Sequence, residues 1–148
     1  MPEDKKIRSF FLHSLYLSLT VIFCWFWTNN KVLVDYNLQL TAILVVSYFL
    51  GRYIFKKNSK GFLLDVIIFT SVLLLVLSST GGLNSPLFFL IYFLLFAVAL
   101  LFDPPTTLAV TLCLVLYFSN SLNSTQSALQ LLSLIFISPM AIYFGKQY

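Results

Sequence analysis

Six stretches of mostly apolar residues, each 17 to 19 residues long, fill this chain from end to end: 10–28, 38–55, 62–80, 86–102, 104–122 and 126–144. At 1.5 Å per residue such a stretch is about 25–29 Å long as a helix, close to the ~30 Å hydrocarbon thickness of a bilayer. The links between stretches are too short to hold another domain. A helix in hydrocarbon satisfies its own backbone hydrogen bonds, which an open strand cannot do, so the stretches read as transmembrane helices. Only 9% of the residues are charged, whereas a water-soluble domain carries about 25%. The expected fold is all-α: a polytopic membrane protein in which residues 1–148 form one domain of six transmembrane helices.

The charges give an orientation. With Met1 in the cytoplasm, six spans place Lys5, Lys6, Arg8, Arg52, Lys56, Lys57, Lys60 and Lys146 on the inner side and only Lys31 outside. Basic residues in short loops favour the cytoplasmic face, so both termini are expected inside. That placement also accounts for the net charge of +4 without a nucleic-acid partner. The basic start followed by an apolar run looks like a signal peptide. The run is too long for one, and it ends in Trp25-Phe26-Trp27 with no small-residue cleavage site, so it reads as an uncleaved first span with an aromatic belt.

The stretch Ser78-Ser79-Thr80-Gly81-Gly82-Leu83-Asn84-Ser85-Pro86-Leu87-Phe88-Phe89 joins the third and fourth runs and holds the only Gly-Gly pair. Glycines that take positive φ close a helix. Asn84 or Ser85 then suits the N-cap of the next helix, with Pro86 at its first position, where a missing N–H costs nothing. Asp103 is placed to cap the fifth helix ahead of Pro104 and Pro105, and Pro139 predicts a kink in the sixth.

Gly81-Gly82-Leu83-Asn84-Ser85-Pro86-Leu87 resembles the Gly-Gly-x-x-Asn-Pro-Phe heptad in the membrane part of RegB-type redox-responsive sensor histidine kinases. Gly81, Gly82 and Pro86 match position for position. The family's Asn falls on Ser85, with Asn84 one residue early, and its Phe falls on Leu87, with Phe88 next. In that family the heptad lies between two transmembrane helices and is implicated in quinone binding. The resemblance implies the input domain of a two-component sensor in a bacterial inner membrane, with a quinone or another lipophilic ring compound as ligand. Gly81, Gly82, Asn84, Ser85, Pro86, Phe88 and Tyr92 are the expected ligand-binding residues. Phe88, Tyr92 and Phe96, spaced four apart, share one helix face, which offers rings for stacking or for helix packing. The bilayer and a second copy of the chain, paired through its transmembrane helices, are the expected partners.

Catalytic chemistry is not legible. One histidine, His13, and five acidic residues form no nucleophile–base pair and no metal-ligand spacing. Cys24 and Cys113 both lie inside apolar runs and read as small hydrophobes. Asp65 is the one acid within a span, within reach of Arg52, Lys57 or Lys60 as an ion-pair partner. The chain stops soon after the sixth run, where a sensor kinase would continue into its catalytic core, so it is expected to bind or sense and not to phosphorylate. A small transporter subunit, using Thr111, Asn120 and Gln130, and a structural membrane protein are the alternative readings.

Overall fold

The computed structural model of the chain describes residues 2–54 and 61–147, and every regular element among them is helical. Lys56, Lys57 and Lys60, counted above for orientation and as partners of Asp65, lie outside the described residues. Seven helices follow in order: α1 (Pro2–Asn29), the short α2 (Lys31–Val34), α3 (Asn37–Ile54), α4 (Gly61–Thr80), α5 (Leu90–Leu101), α6 (Pro104–Ser119) and α7 (Thr125–Gln147). Each of the six expected runs contains one of the longer helices. Among the described residues, three helical stretches are long and apolar enough to cross a membrane: Glu3–Asn29, Leu63–Thr80 and Thr125–Gln147. The apolar helices α5 and α6 are shorter, and α3 is diluted by Asn37 and Gln39 at its start and Arg52 near its end.

Local chemistry explains the boundaries, including those that differ from expectation. α1 begins at Pro2, not at residue 10. Glu3 and Asp4 occupy its first turn, where the helix dipole favours negative charge, and Lys5, Lys6 and Arg8 are good helix formers. The chain leaves α4 through Gly81 (φ 120°) and Gly82 (φ 62°), the two positive-φ residues among those described, into a single 3-10 turn, Gly82–Asn84. Ser85 is extended, and its Oγ accepts from the Leu87 amide at 3.2 Å, so it caps the following turn with Pro86 directly after it. Regular α-helix nevertheless starts only at Leu90. Residues 86–89 are wound tightly, with i→i+3 bonds from Phe88 to Ser85, Leu90 to Leu87, Ile91 to Phe88 and Tyr92 to Phe89. A cap followed by proline serves either winding, so that signature did not separate them.

Asp103 takes the N-cap position of α6 in extended geometry, but its carboxylate makes no capping bond. Pro104 and Pro105 have no N–H to offer, and the Thr106 and Thr107 amides bond the Asp103 carbonyl at 3.0 and 3.3 Å. α7 continues as one helix through Pro139.

Packing arranges the helices unevenly. α1 lies between α4 and α6, α7 packs on α5 and α6, and α4 also touches α5. Leu17, Val21, Leu74, Leu77, Ile91, Leu94, Leu114, Phe118 and Leu134 form the shared core. α3 rests mainly on α4 and contributes one buried residue, Asn37. Asn37 is a polar clamp: its Oδ1 accepts from Trp27 Nε1 at 2.8 Å, and its Nδ2 donates to Ser79 Oγ at 3.4 Å. At the other end of α3, Arg52, one of the three partners expected for Asp65, pairs with it at 2.9 Å and also lies over the Tyr48 ring. The perimeter is apolar all round, with Phe11, Leu38, Phe49, Leu112 and Phe136 each more than half exposed. An outer surface of that kind suits lipid and would be an aggregation surface in water.

Candidate functional site

The Gly-Gly turn sits at one end of the bundle beside the end of α1 and the α6–α7 loop. Positive φ at both glycines lets the chain reverse there and brings the turn against Ser121, whose Oγ lies 3.8 Å from where a Cβ on Gly82 would stand. A cleft of about 290 Å³ opens between these three segments. α1 contributes Trp25, Thr28 and Asn29, and α4 contributes Ser78. Gly81, Gly82 and Asn84 come from the turn, Tyr117 and Phe118 from α6, and Asn120, Ser121 and Asn123 from the loop after it.

The lining is polar and carries no charged side chain. Tyr117 is buried and donates its hydroxyl to Thr28 Oγ1 at 3.3 Å, while Thr28 donates to the Cys24 carbonyl at 2.9 Å. Asn84 Oδ1 accepts from Ser127 Oγ at 3.4 Å, which ties the turn to the start of α7. The carboxamides of Asn29, Asn120 and Asn123 make no side-chain hydrogen bond among the described residues. Each is therefore free to donate to, and accept from, a bound molecule. A neighbouring groove of about 410 Å³ runs down between α1 and α6, walled by Val21, Ile22, Cys113 and Leu116. It shares Trp25, Tyr117 and Asn120 with the cleft, so an apolar channel along the bundle side meets an uncharged hydrogen-bonding end.

Of the seven residues singled out from sequence, Gly81, Gly82 and Asn84 line this cleft and four do not. Ser85 is buried and holds the turn: Thr80 donates to the Val76 carbonyl, so the 2.6 Å contact between Thr80 and Ser85 has Ser85 as donor. Pro86 is exposed beyond the cleft. Phe88 does not offer a free stacking face. It is 3% exposed and meets Tyr92 and Phe118 edge-on, with centroids 5.7 and 5.6 Å away. The Tyr92 hydroxyl bonds Ser133 Oγ at 2.6 Å, and Ser133 in turn donates to the Gln130 carbonyl. This pair of rings joins α5 to α6 and α7. The cleft's rings are instead Trp25, Tyr117 and Phe118, of which the sequence presented Trp25 only as part of an interfacial belt.

The residues weighed for transport separate likewise. Thr111 is buried and bridges α6 to α7 by donating to Ser138 Oγ at 3.0 Å. Gln130 is half-buried, and Asn120 stands at the cleft. Among the described residues no group of three or more His, Cys, Asp or Glu side chains converges on a metal-sized site, and Cys24 and Cys113 are free thiols. His13 packs its ring on Phe102 with centroids 5.3 Å apart. Comparison of the chain with protein-family models, with curated proteins and with solved structures finds no match to any of them.

Proposed function

We propose that the chain is a six-span domain of a bacterial inner membrane, with both termini in the cytoplasm, that acts as the input unit of a sensor by binding a lipophilic ring compound carrying carbonyl groups, of which a quinone is the type. One observation carries this reading. An uncharged cleft rich in carboxamides meets an apolar groove between α1 and α6, with Trp25 and Tyr117 shared by both. A quinone needs the same combination: a route from the bilayer, an aromatic surface for its ring, and neutral donors for its carbonyls. In the proposed topology the cleft opens at the outer face, and α7, tied to the turn through Asn84 and Ser127, leads back to the cytoplasmic side. A ligand that ordered the turn would thus act on the helix from which a signalling segment would continue.

The reading makes one quantitative demand. Lipid already supplies an apolar environment, so discrimination has to come from ring stacking and from hydrogen bonds worth about 1 kcal/mol each. Purified protein in nanodiscs should bind a short-chain quinone analogue and quench the fluorescence of Trp25. The Asn84→Ala, Asn120→Ala double variant should bind about 30-fold more weakly, since two such bonds are lost. Equal binding by the two proteins, or none by the parent, removes the reading.

A further inference from the structure

At the end of the bundle opposite the Gly-Gly turn, a groove of about 1320 Å³ lies between the first turns of α1, the start of α4 and the α5–α6 connection. It owes its depth to α1 being helical from Pro2, which lifts Lys5, Lys6 and Arg8 alongside the end of α5. Those three cations stand on its rim, while Leu12, Tyr16, Leu63 and Leu101 form its lower walls. His13 and Phe102, ring against ring, close part of the floor. Among the described residues, Asp103 is the one acidic side chain on the lining. The one ion pair among the described residues is Arg52–Asp65, so Lys5, Lys6 and Arg8 have no ion-pair partner among them.

The geometry points to a binding site for an anionic phospholipid, its phosphate held by Lys5, Lys6 and Arg8 and its acyl chains lying along Leu12, Tyr16, Leu63 and Leu101. Charge and apolarity are segregated along the groove in the order in which a phospholipid presents them. A charged rim with no apolar wall would take free phosphate, and an apolar wall with no charge would take any lipid. The two together select a lipid by its headgroup, because each Lys or Arg near an anionic membrane surface contributes a separate increment of attraction. The volume exceeds that of an ordinary small-molecule pocket and matches a headgroup with the upper parts of its chains. This site is independent of the cleft at the Gly-Gly turn.

The test is lipid retention by the full chain in detergent, followed by native mass spectrometry with phosphatidylglycerol and phosphatidylcholine of identical acyl chains. The parent should retain phosphatidylglycerol with about tenfold preference, the Lys5→Gln, Lys6→Gln, Arg8→Gln variant should lose that preference, and Lys31→Gln should keep it. Because removing basic residues can also disturb membrane insertion, a second measurement uses the unaltered chain. A phosphatidylglycerol with a photoreactive acyl chain should cross-link at or beside Leu12, Tyr16, Leu63 and Leu101. Equal retention of the two lipids, a preference that survives in the triple variant, cross-links spread evenly around the bundle, or displacement of the lipid by millimolar inorganic phosphate would each overturn the assignment.

Discussion

At Gly145 a side chain has no room. A Cβ there would run into the Ala99 carbonyl oxygen and come within 2.9 Å of the carbonyl carbon, so α7 and α5 touch backbone to backbone. Small residues permit that approach between helices that no hydrophobic force drives together in lipid. Gly145→Val should therefore force the two helices apart and lower stability by about 1–3 kcal/mol, read as a fall in the thermal midpoint in detergent. Gly51, with nothing within 4 Å of its would-be Cβ, is the control: Gly51→Ala should be neutral or stabilising by up to ~1 kcal/mol. The turn glycines divide differently. Gly82, at φ 62°, lies in the left-handed well that asparagine tolerates better than other side chains, so Gly82→Asn should cost about 1 kcal/mol or less. Gly81, at φ 120°, lies outside that well, and Gly81→Asn should cost about 1–3 kcal/mol in the same melt. The sequence marked the turn pair and passed over Gly145, because a lone glycine near a helix end carries no sign of what will pack on it.

Among the six long helices, α3 is held most lightly. It rests mainly on α4, and the Asn37 clamp to Trp27 and Ser79 is its deepest anchor. Asn37→Leu removes both hydrogen bonds and leaves the Trp27 N–H without its partner. Amide exchange along α3 should accelerate by the equivalent of about 1–2 kcal/mol, while α6 and α7 stay protected. The helices were legible because long apolar runs admit little else, and each of the six runs contains one of the longer helices. Their ends were less so. Apolar length does not show that charged residues will extend α1 to Pro2, nor that Ser85 and Pro86 will open a 3-10 winding before α5. The cleft was hardest to foresee. Asn29, Asn84 and Asn120 come from three separate segments, and no spacing in the chain relates them before the bundle assembles.

For the whole molecule, the proposed topology can be checked directly. Reporter fusions at Tyr148 and within residues 120–126 should lie on opposite sides of the membrane, inside and outside respectively, because basic residues gather at one end of the chain's hairpins. The same side for both would exclude six spans. The helices are also of very unequal reach: α1, at 28 residues, is about 42 Å long, whereas α5, at 12, is about 18 Å. The apolar run of α1, residues 10–28, is close to an ordinary bilayer thickness, whereas α5 falls well short of it even with the tight turns before it, so in the proposed topology the membrane thins beside α5. The thermal midpoint should accordingly be higher in vesicles of short-chain lipid than in long-chain ones, which would make the protein a gauge of how thick its membrane is.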